Sequence, residues 1–226
     1  MKFSLGIKIS IVIGLLSTSA LARGSGGGSS GNHSFEFAGG VATASQDDLN
    51  TWIVANGGQQ LGSGYEFNLT YLYRYSGSMF AIAFRPEYFT QKNSGAASVS
   101  LTAISFMPML RLYPLENNFI KFFMQIGMGF STLNGTISNA TGSADFTGSA
   151  FGTQMGLGAD FCFTDSHCLT VEGNYRYLPI VRSTTTNTNG TLGNGMTTVG
   201  ELRLNNLCAQ NTLSGIQGLL AYTLKF

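Results

Sequence analysis

Residues 65–75 read Tyr-Glu-Phe-Asn-Leu-Thr-Tyr-Leu-Tyr-Arg-Tyr, which is the clearest two-residue alternation in the chain. Aromatic or apolar side chains occupy every second position from Tyr65 to Tyr75, and mostly polar side chains lie between them. A helix would scatter these aromatic rings around its circumference, whereas a strand places all of them on one face. The stretch therefore predicts a β-strand with one apolar and one polar face.

The same alternation recurs along the chain, with turn-forming clusters between the segments. Ile120 to Phe130 is the second clear case, with six large apolar side chains on one side and Lys, Gln, Gly and Ser on the other. Eight such segments are predicted in all. They cover residues 34–45, 65–75, 79–90, 99–113, 120–130, 151–161, 169–179 and 213–226.

The composition is typical of a protein surrounded by lipid. Charged residues make up only 10% of the chain, against roughly 25% in an average soluble domain. After the amino-terminal segment, no stretch approaches the roughly 20 apolar residues of a membrane helix. A membrane protein without such helices must satisfy its backbone hydrogen bonds between strands, in a closed barrel. We therefore predict an all-β fold, an eight-stranded antiparallel transmembrane up-and-down β-barrel over residues 34–226.

The amino-terminal segment predicts export. Lys2 and Lys8 precede a short apolar core, and residues 20–22 form a small-x-small cleavage site. Residues 1–22 are therefore expected to be a cleaved signal peptide, and residues 23–33 a flexible Gly/Ser-rich tail. Removing the two lysines leaves 10 of the 12 basic residues against 11 acidic ones. This near-neutral balance argues against nucleic-acid binding.

The predicted connections alternate in length. Residues 76–78, 114–117 and 163–167 form tight turns, whereas residues 46–64, 91–98, 133–149 and 181–212 form long polar loops. Outer-membrane barrels have short periplasmic turns and long extracellular loops. Both termini are therefore expected in the periplasm. Residues 201–204 alternate within the last loop, so a further hairpin that would give ten strands stays open as an alternative.

Residues 34–226 resemble the small eight-stranded outer-membrane barrels of the OmpA/OmpX type. The resemblance implies a bacterial outer-membrane location, contact with membrane lipids and lipopolysaccharide, and folding by the barrel-assembly machinery. Tyr222, Leu224 and Phe226 resemble the closing strand whose terminal aromatic residue serves as an assembly signal. No peptidoglycan-binding domain is expected after Phe226.

The polar face of the strands predicts a charged lumen. Arg or Lys facing lipid near the midplane would cost on the order of 2–4 kcal/mol, so the charges are expected inside, paired with one another. The predicted lumen network is Glu36, Glu66, Arg74, Arg85, Glu87, Arg111, Lys121, Asp160, Glu172, Arg176 and Lys225.

Strand direction predicts the height of these charges. Arg85, Glu87 and Arg176 are expected above most of the others, with Glu66 near the outer rim. The interior of an eight-stranded barrel can be filled by side chains, so the main interpretation is a structural plug and the alternative is a path for ions or protons. Inward glycines, Gly127, Gly129, Gly152, Gly156 and Gly158, are expected to make room for crossing Arg and Tyr side chains.

Cys162 and Cys168 flank a tight turn and are candidates for a disulfide. Cys208 is expected far away, as a free thiol or an intermolecular partner. No metal site or cofactor is predicted. The histidines His33 and His167 are expected outside the strands at the periplasmic end, so no Ser–His–acid set can form.

A structural or surface-interaction role of a monomer is therefore predicted, with long loops that contact surface ligands and no enzymatic activity. The alternative is a small pore or transport protein for ions or small solutes. Trp52, in the first long loop, is expected either to anchor at the membrane interface or to pack within the loop.

Overall fold

The computed structural model describes residues 32–190, 200–204 and 207–226. One helix and fourteen strands are defined within these residues. They are β1 (Asn32–Ala42), α1 (Asp47–Ala55), β2 (Gly64–Arg74), β3 (Phe80–Lys92), β4 (Ser98–Glu116), β5 (Ile120–Asn139), β6 (Gly142–Cys162), β7 (His167–Tyr177), β8 (Pro179–Ile180), β9 (Ser183–Gly190), β10 (Gly200–Glu201), β11 (Arg203–Leu204), β12 (Leu207–Cys208), β13 (Asn211–Thr212) and β14 (Gly215–Lys225).

Eight antiparallel strands close into a barrel. Each of β1 to β6 pairs with the next strand, and β14 pairs with both β7 and β1. The closure runs to the chain end, where the backbone N–H of Phe226 donates to the His33 carbonyl oxygen at 2.9 Å. The predicted eight-stranded barrel is confirmed. The ten-stranded alternative is wrong for the closed ring, because β9 pairs with residues 142–148 of β6 and β10 pairs with β9, while the ring itself closes through β6–β7, β7–β14 and β14–β1.

The alternation of side chains sorts the two faces of the barrel wall. Phe67, Ile126 and Leu157 point outward and are 57%, 58% and 68% exposed, whereas most of the charged residues between such positions are buried. Since successive strand residues face opposite sides, a single sequence period produces both the apolar exterior and the polar lumen.

The two rims differ in their connections. At one rim, named the short-turn rim, residues 75–79, 117–119 and 163–166 link neighbouring strands, and the carboxyl end closes beside β1. At the opposite rim, named the loop rim, residues 43–63 and 178–214 form the two longest connections. β1 begins at Asn32, two residues before the predicted start of the barrel. The predicted signal peptide, residues 1–22, and tail residues 23–31 lie outside the described residues.

Residues 133–149 correct a prediction. They form no long loop, because β5 and β6 continue to Asn139 and from Gly142 as one hairpin. The Asn139 side-chain oxygen accepts hydrogen bonds from the Thr141 and Gly142 backbone N–H groups, as in an Asx turn. Ile137 and Phe146 are buried on the inner side. Their burial stabilises strands in a stretch whose Thr, Ser and Asn content had suggested a loop.

The loop of residues 43–63 contains α1, which the sequence did not reveal. Asp47 and Asp48 lie in its first turn, where a negative charge is favourable. Leu49, Trp52 and Ile53 lie on one face and are at most 2% exposed. They pack against buried apolar side chains from the strand ends and the last loop. This cluster at the loop rim, named the apolar cap, includes Leu49, Trp52, Ile53, Leu61, Phe89, Leu101, Ile137, Phe146, Ile180 and Leu213. Of the two alternatives for Trp52, packing within the loop is the observed one.

The inward glycines make room for neighbours other than those expected. A Cβ atom on Gly127 would lie 2.4 Å from Met109 Cγ, and one on Gly158 would lie 2.4 Å from Phe123 Cζ. One on Gly156 would lie 1.8 Å from Asn174 Oδ1. The crowding side chains are therefore methionine, phenylalanine and asparagine, and not the predicted Arg and Tyr.

Replacing Gly129 with Ala is expected to lower the free energy of unfolding by about 1–3 kcal/mol, the range for forced overpacking. The added Cβ would lie 2.0 Å from the Phe106 carbonyl oxygen, which the barrel wall holds in place. Gly218→Ala is the matched control, since a Cβ there has no atom within 4 Å. Urea unfolding in detergent micelles measures both variants, and equal stabilities would contradict the crowding argument.

Candidate functional site

Four charged side chains from four strands meet near the middle of the lumen. Glu36 of β1, Arg85 of β3, Arg111 of β4 and Glu172 of β7 are each at most 4% exposed. We name this group the central cluster. Two arginines and two glutamates give it no net formal charge.

The central cluster forms a closed ring of ion pairs. Arg111 binds Glu36 with two hydrogen bonds, Nη1 to Oε1 at 2.5 Å and Nη2 to Oε2 at 3.0 Å. Arg85 makes the same kind of bidentate pair with Glu172, with Nη2 donating to Oε2 at 2.8 Å. Longer contacts close the ring, Arg111 to Glu172 at 3.5 Å and Arg85 to Glu36 at 3.8 Å. Bidentate arginine–carboxylate pairs are among the strongest charge-assisted hydrogen-bonded contacts.

Uncharged inward side chains satisfy the remaining groups of the central cluster. Arg85 Nε donates to Thr70 Oγ1 at 2.8 Å, and Arg111 Nε donates to Gln125 Oε1 at 3.1 Å. Asn174 donates to Glu172 and accepts from Gln125. A buried charge is stable only with such partners, because each unmet hydrogen bond leaves a desolvated polar atom.

A second group lies nearer the loop rim. Arg176 Nη1 lies 3.1 Å from Glu66 Oε2 and 3.2 Å from Glu87 Oε2, so one nitrogen serves two carboxylates. Gln217 Nε2 donates to both oxygens of Glu66, at 2.9 and 2.7 Å, and Gln217 Oε1 accepts from Gln154. We name Glu66, Glu87 and Arg176 the upper cluster.

The upper cluster is less completely paired than the central cluster. With both glutamates ionised it carries one net negative charge. Within the described residues, Glu87 Oε1, Arg176 Nη2 and the nearby Gln154 Oε1 make no hydrogen bond. The two clusters therefore differ in kind, since the central one pairs two arginines with two glutamates and is saturated, while the upper one has one arginine for two glutamates and is partly unsatisfied.

The other predicted lumen residues lie at or near the short-turn rim. Arg74 binds Glu116 with Nη1 to Oε2 at 2.7 Å and Nη2 to Oε1 at 2.9 Å, in a partly exposed position. Asp160 is buried and accepts from Thr170 Oγ1 at 2.8 Å. Lys225 Nζ lies 3.2 Å from Cys162 Sγ. Lys121 lies at the same rim, where β5 begins.

One expectation about the network needs correction. Arg85 was grouped by height with Glu87 and Arg176, but its long side chain reaches Glu172 and Glu36 in the central cluster. Glu66, expected near the outer rim, lies three residues into β2 from the loop rim and is buried in the upper cluster. Strand position gives the height of a Cα atom only, and an arginine side chain can reach far from it.

Several partners were not identified from the sequence. Glu116 was assigned to a turn, although it is the last residue of β4 and faces Lys121 across the pair of strands. The charge pattern of the strands does not identify the uncharged partners Thr70, Gln125, Asn174 and Gln217. The alternation of side chains does indicate these four residues, because all of them occupy inward-facing positions of their strands.

The cysteines and histidines are placed as follows. Cys162 and Cys168 pair across β6 and β7 and form a disulfide. Cys208 lies in β12, and the predicted free thiol concerns a side chain outside the described part of the chain.

The expectation that no strand carries a histidine is wrong, because His33 lies in β1 and His167 begins β7. Their Nδ1 atoms lie 2.7 Å from the Tyr71 hydroxyl and 2.5 Å from the Tyr222 hydroxyl.

Two classes of feature are missing from the described residues. No helix there is both long and apolar enough to cross a bilayer. No group of three or more His, Cys, Asp or Glu side chains in this part of the chain is placed to hold a metal ion.

Comparison with known proteins places the chain in a family. Residues 9–200 match the family model described as the outer membrane protein beta-barrel domain. The fold is similar to that of the outer membrane protein OprG from Pseudomonas aeruginosa, with 11% identity, a TM-score of 0.57, and coverage of 88% of this chain and 97% of OprG. A major outer membrane protein from Thermus thermophilus gives 10% identity, a TM-score of 0.58, and coverage of 86% and 99%. No curated protein matches the sequence. The chain belongs to the outer membrane protein beta-barrel domain family, whose members lie in the bacterial outer membrane.

Proposed function

We propose that this protein is a structural and surface-interaction barrel with an occluded lumen. The observation that carries the proposal is the network of seven buried charges. Its ion pairs join β1 to β4, β3 to β7 and β2 to β7 across the barrel axis. A hydrated ion would have to break these contacts in order to pass, and breaking a buried pair costs about 3–5 kcal/mol.

The loop rim supports the same proposal. Phe89 of the apolar cap borders the upper cluster, with Arg176 Cζ 5.7 Å from the centre of the Phe89 ring. Polar contacts hold α1 and the preceding Gln46 to the last loop. Gln46 Nε2 donates to the Thr212 carbonyl oxygen at 2.6 Å, and Asp48 Oδ2 accepts from the Gln210 backbone N–H at 2.8 Å. An apolar layer next to a layer of ion pairs supports an occluded lumen.

The proposal also includes an orientation in the membrane and a set of partners. The short-turn rim and both termini face the periplasm, and the loop rim faces outward, as in barrels with short periplasmic turns. The barrel acts as a monomer, is folded by the barrel-assembly machinery, and meets lipopolysaccharide and surface ligands with its loop rim. A non-catalytic role is supported by the histidines, since both are bound to tyrosine hydroxyls at the short-turn rim, far from the acids of the upper cluster.

A second candidate is a narrow path for cations or protons through the upper cluster. The observation that favours it is the excess of two glutamates over one arginine beside the atoms Glu87 Oε1 and Arg176 Nη2, which make no hydrogen bond within the described residues. Buried polar atoms without partners are commonly hydrated, and charged groups inside a membrane protein often mark ion pathways.

Planar-bilayer recording is expected to show no steady current through the purified barrel, because ion pairs and the apolar cap close the lumen. Steady cation currents would overturn the occluded lumen, and their disappearance in Glu87→Gln would support the second candidate, because Glu87 belongs to the upper cluster. Glu116→Gln is the matched control, since it removes a carboxylate from a partly exposed pair at the rim. Currents that also disappear in this control would point to a general effect of charge and not to the lumen.

A further inference from the structure

The two buried clusters of the lumen together contain more carboxyl groups than cations, with three arginines and four glutamates. The central cluster takes two of each, so the excess glutamate belongs to the upper cluster. In the described part of the chain, Arg176 is the one cation that forms an ion pair with Glu66 or Glu87. A buried charge without a counter-ion is strongly disfavoured, and such a group is commonly neutralised by a proton or another cation.

Glu66 has no free position for a proton. Both of its oxygens accept from Gln217 Nε2, at 2.9 and 2.7 Å, and Oε2 also lies 3.1 Å from Arg176 Nη1. A proton on either oxygen would therefore be directed at a group that itself donates. Two neighbouring buried carboxyl groups can share a single proton, and in this pair the better place for it is Glu87.

Glu87 is bound at one oxygen only. Its Oε2 lies 3.2 Å from Arg176 Nη1, whereas its Oε1 makes no hydrogen bond to any of the described residues. The whole residue is 2% exposed, so bulk water does not replace the missing partner. A proton on Oε1 would remove the excess charge and would turn an unsatisfied acceptor into a donor.

Gln154 supplies the acceptor for this proton. Gln217 directs its amide nitrogen to Glu66, so its oxygen faces Gln154 and accepts from Gln154 Nε2 at 3.0 Å. This relay of amides leaves Gln154 Oε1 as a buried acceptor to which no described group donates. The Gln154 side chain also lies beside the Glu87 carboxyl group. One hydrogen bond from a protonated Glu87 would satisfy both oxygens.

A metal ion fits this position less well than a proton. Arg176 is the registered neighbour of Gln154, and Asn68 is that of Glu87. Arg176 Nη2 and Asn68 Nδ2 are buried donors that make no hydrogen bond to the described residues. Such N–H groups oppose a hard cation, which needs a shell of oxygen ligands.

We propose that the upper cluster is a proton-binding site, in which Glu66 and Glu87 together hold one proton on Glu87 Oε1 that is donated to Gln154 Oε1. Arg85 and Glu172 of the central cluster also face Glu87, but they are paired with each other and leave the excess unchanged. The inference goes beyond the proposed function, because a bound proton does not require the lumen to conduct.

The rival arrangement keeps Glu87 ionised and lets its Oε1 accept from Asn68 Nδ2 after a small rotation. Infrared spectroscopy of the full chain at neutral pH, in a detergent without carbonyl groups, distinguishes the two. A protonated carboxyl group has a carbonyl stretch separate from those of carboxylates and backbone amides. We expect this band in the parent protein, its complete loss in Glu87→Gln and its retention in Glu116→Gln, the control at the rim.

Urea unfolding gives a second readout. Glu87→Gln supplies an acceptor for Arg176 and a donor for Gln154, as the protonated acid does, and is expected to unfold at the same urea concentration as the parent protein. Glu66→Gln sets an amide nitrogen against the Gln217 amide and is expected to unfold at a lower one. The slower migration of heated samples verifies that each variant folds.

Three results would overturn the proposal. They are the absence of the acid band from the parent protein, an unchanged band in Glu87→Gln, and equal losses of stability in Glu87→Gln and Glu66→Gln. The first result would support the rival contact with Asn68. Conductance tests the proposed function separately, so the two can fail independently.

Discussion

Replacing Arg111 with Met is expected to lower the free energy of unfolding by about 3–5 kcal/mol, the range for removing one member of a buried ion pair. Methionine keeps much of the length of the side chain and loses both hydrogen bonds to Glu36. Glu36 would stay buried, with Arg85 at 3.8 Å as its remaining cation. The desolvated carboxylate, more than the lost attraction, accounts for the size of the effect. Urea unfolding in detergent micelles measures it.

Two comparisons decide whether burial is the cause. Arg74→Met breaks the equally well-formed pair with Glu116 at the short-turn rim, where partial exposure limits the expected loss to about 1 kcal/mol. The double variant Arg111→Met/Glu36→Leu removes both charges, and it is expected to recover most of the stability lost in the single variant. A double variant no more stable than the single one would contradict this account of the central cluster.

Replacing Trp52 with Ala is expected to destabilise the apolar cap by about 3–5 kcal/mol, as for other fully buried tryptophans. Trp52 is among the largest buried side chains and is 2% exposed. The loss is expected to open the loop of residues 43–63 locally, because the barrel strands keep their own hydrogen-bonded neighbours. Native-state hydrogen exchange of α1 and limited proteolysis of the loop measure the opening.

Val54→Ala is the control for Trp52→Ala. Val54 lies away from the buried face of α1 and is 53% exposed, so its replacement is expected to change stability by no more than about 0.5 kcal/mol. The closed barrel of the Trp52 variant should still migrate differently before and after heating. Collapse of the whole barrel together with the loop would show that cap and barrel unfold as one unit, contrary to the expectation.

Inward and outward positions could be read directly from the sequence. In β2 the alternation from Tyr65 onward assigns Glu66 and Arg74 to the lumen side, and the structure pairs both with charges from other strands. A strand surrounded by lipid has only two environments, so one period is enough to assign every residue to one of them. The number of barrel strands also followed from the sequence, by counting the segments that show this alternation.

Polar extensions of strands could not be recognised in the same way. Residues 132–149 alternate between Thr, Ser, Asn or Asp and a mixture of Gly, Ala, Leu, Ile and Phe, which is weaker than the alternation of aromatic and charged residues within the membrane. Their inner side chains are buried in the apolar cap, to which α1 contributes. Burial against another segment is a tertiary effect, and no local signal announces it.

The choice of ion-pair partners also depended on the assembled barrel. Arg85 and Glu172 are 87 residues apart in the sequence, and Arg176 and Glu66 are 110 apart. The period shows that all four point inward, but the tilt and stagger of the strands decide which charges share a level. The same stagger leaves the upper cluster with one arginine for two glutamates.

The amino-acid order alone was sufficient for the class of fold, the membrane environment and the side of the wall on which each strand residue lies, because these follow from a two-residue period and the cost of exposing charge to lipid. The closed ring of strands was needed for the separation of the buried charges into two clusters, for the packing of the helix at the loop rim and for the long hairpin of residues 132–149. Each of these joins residues distant in sequence, and only the shared geometry of the barrel brings such residues within contact distance.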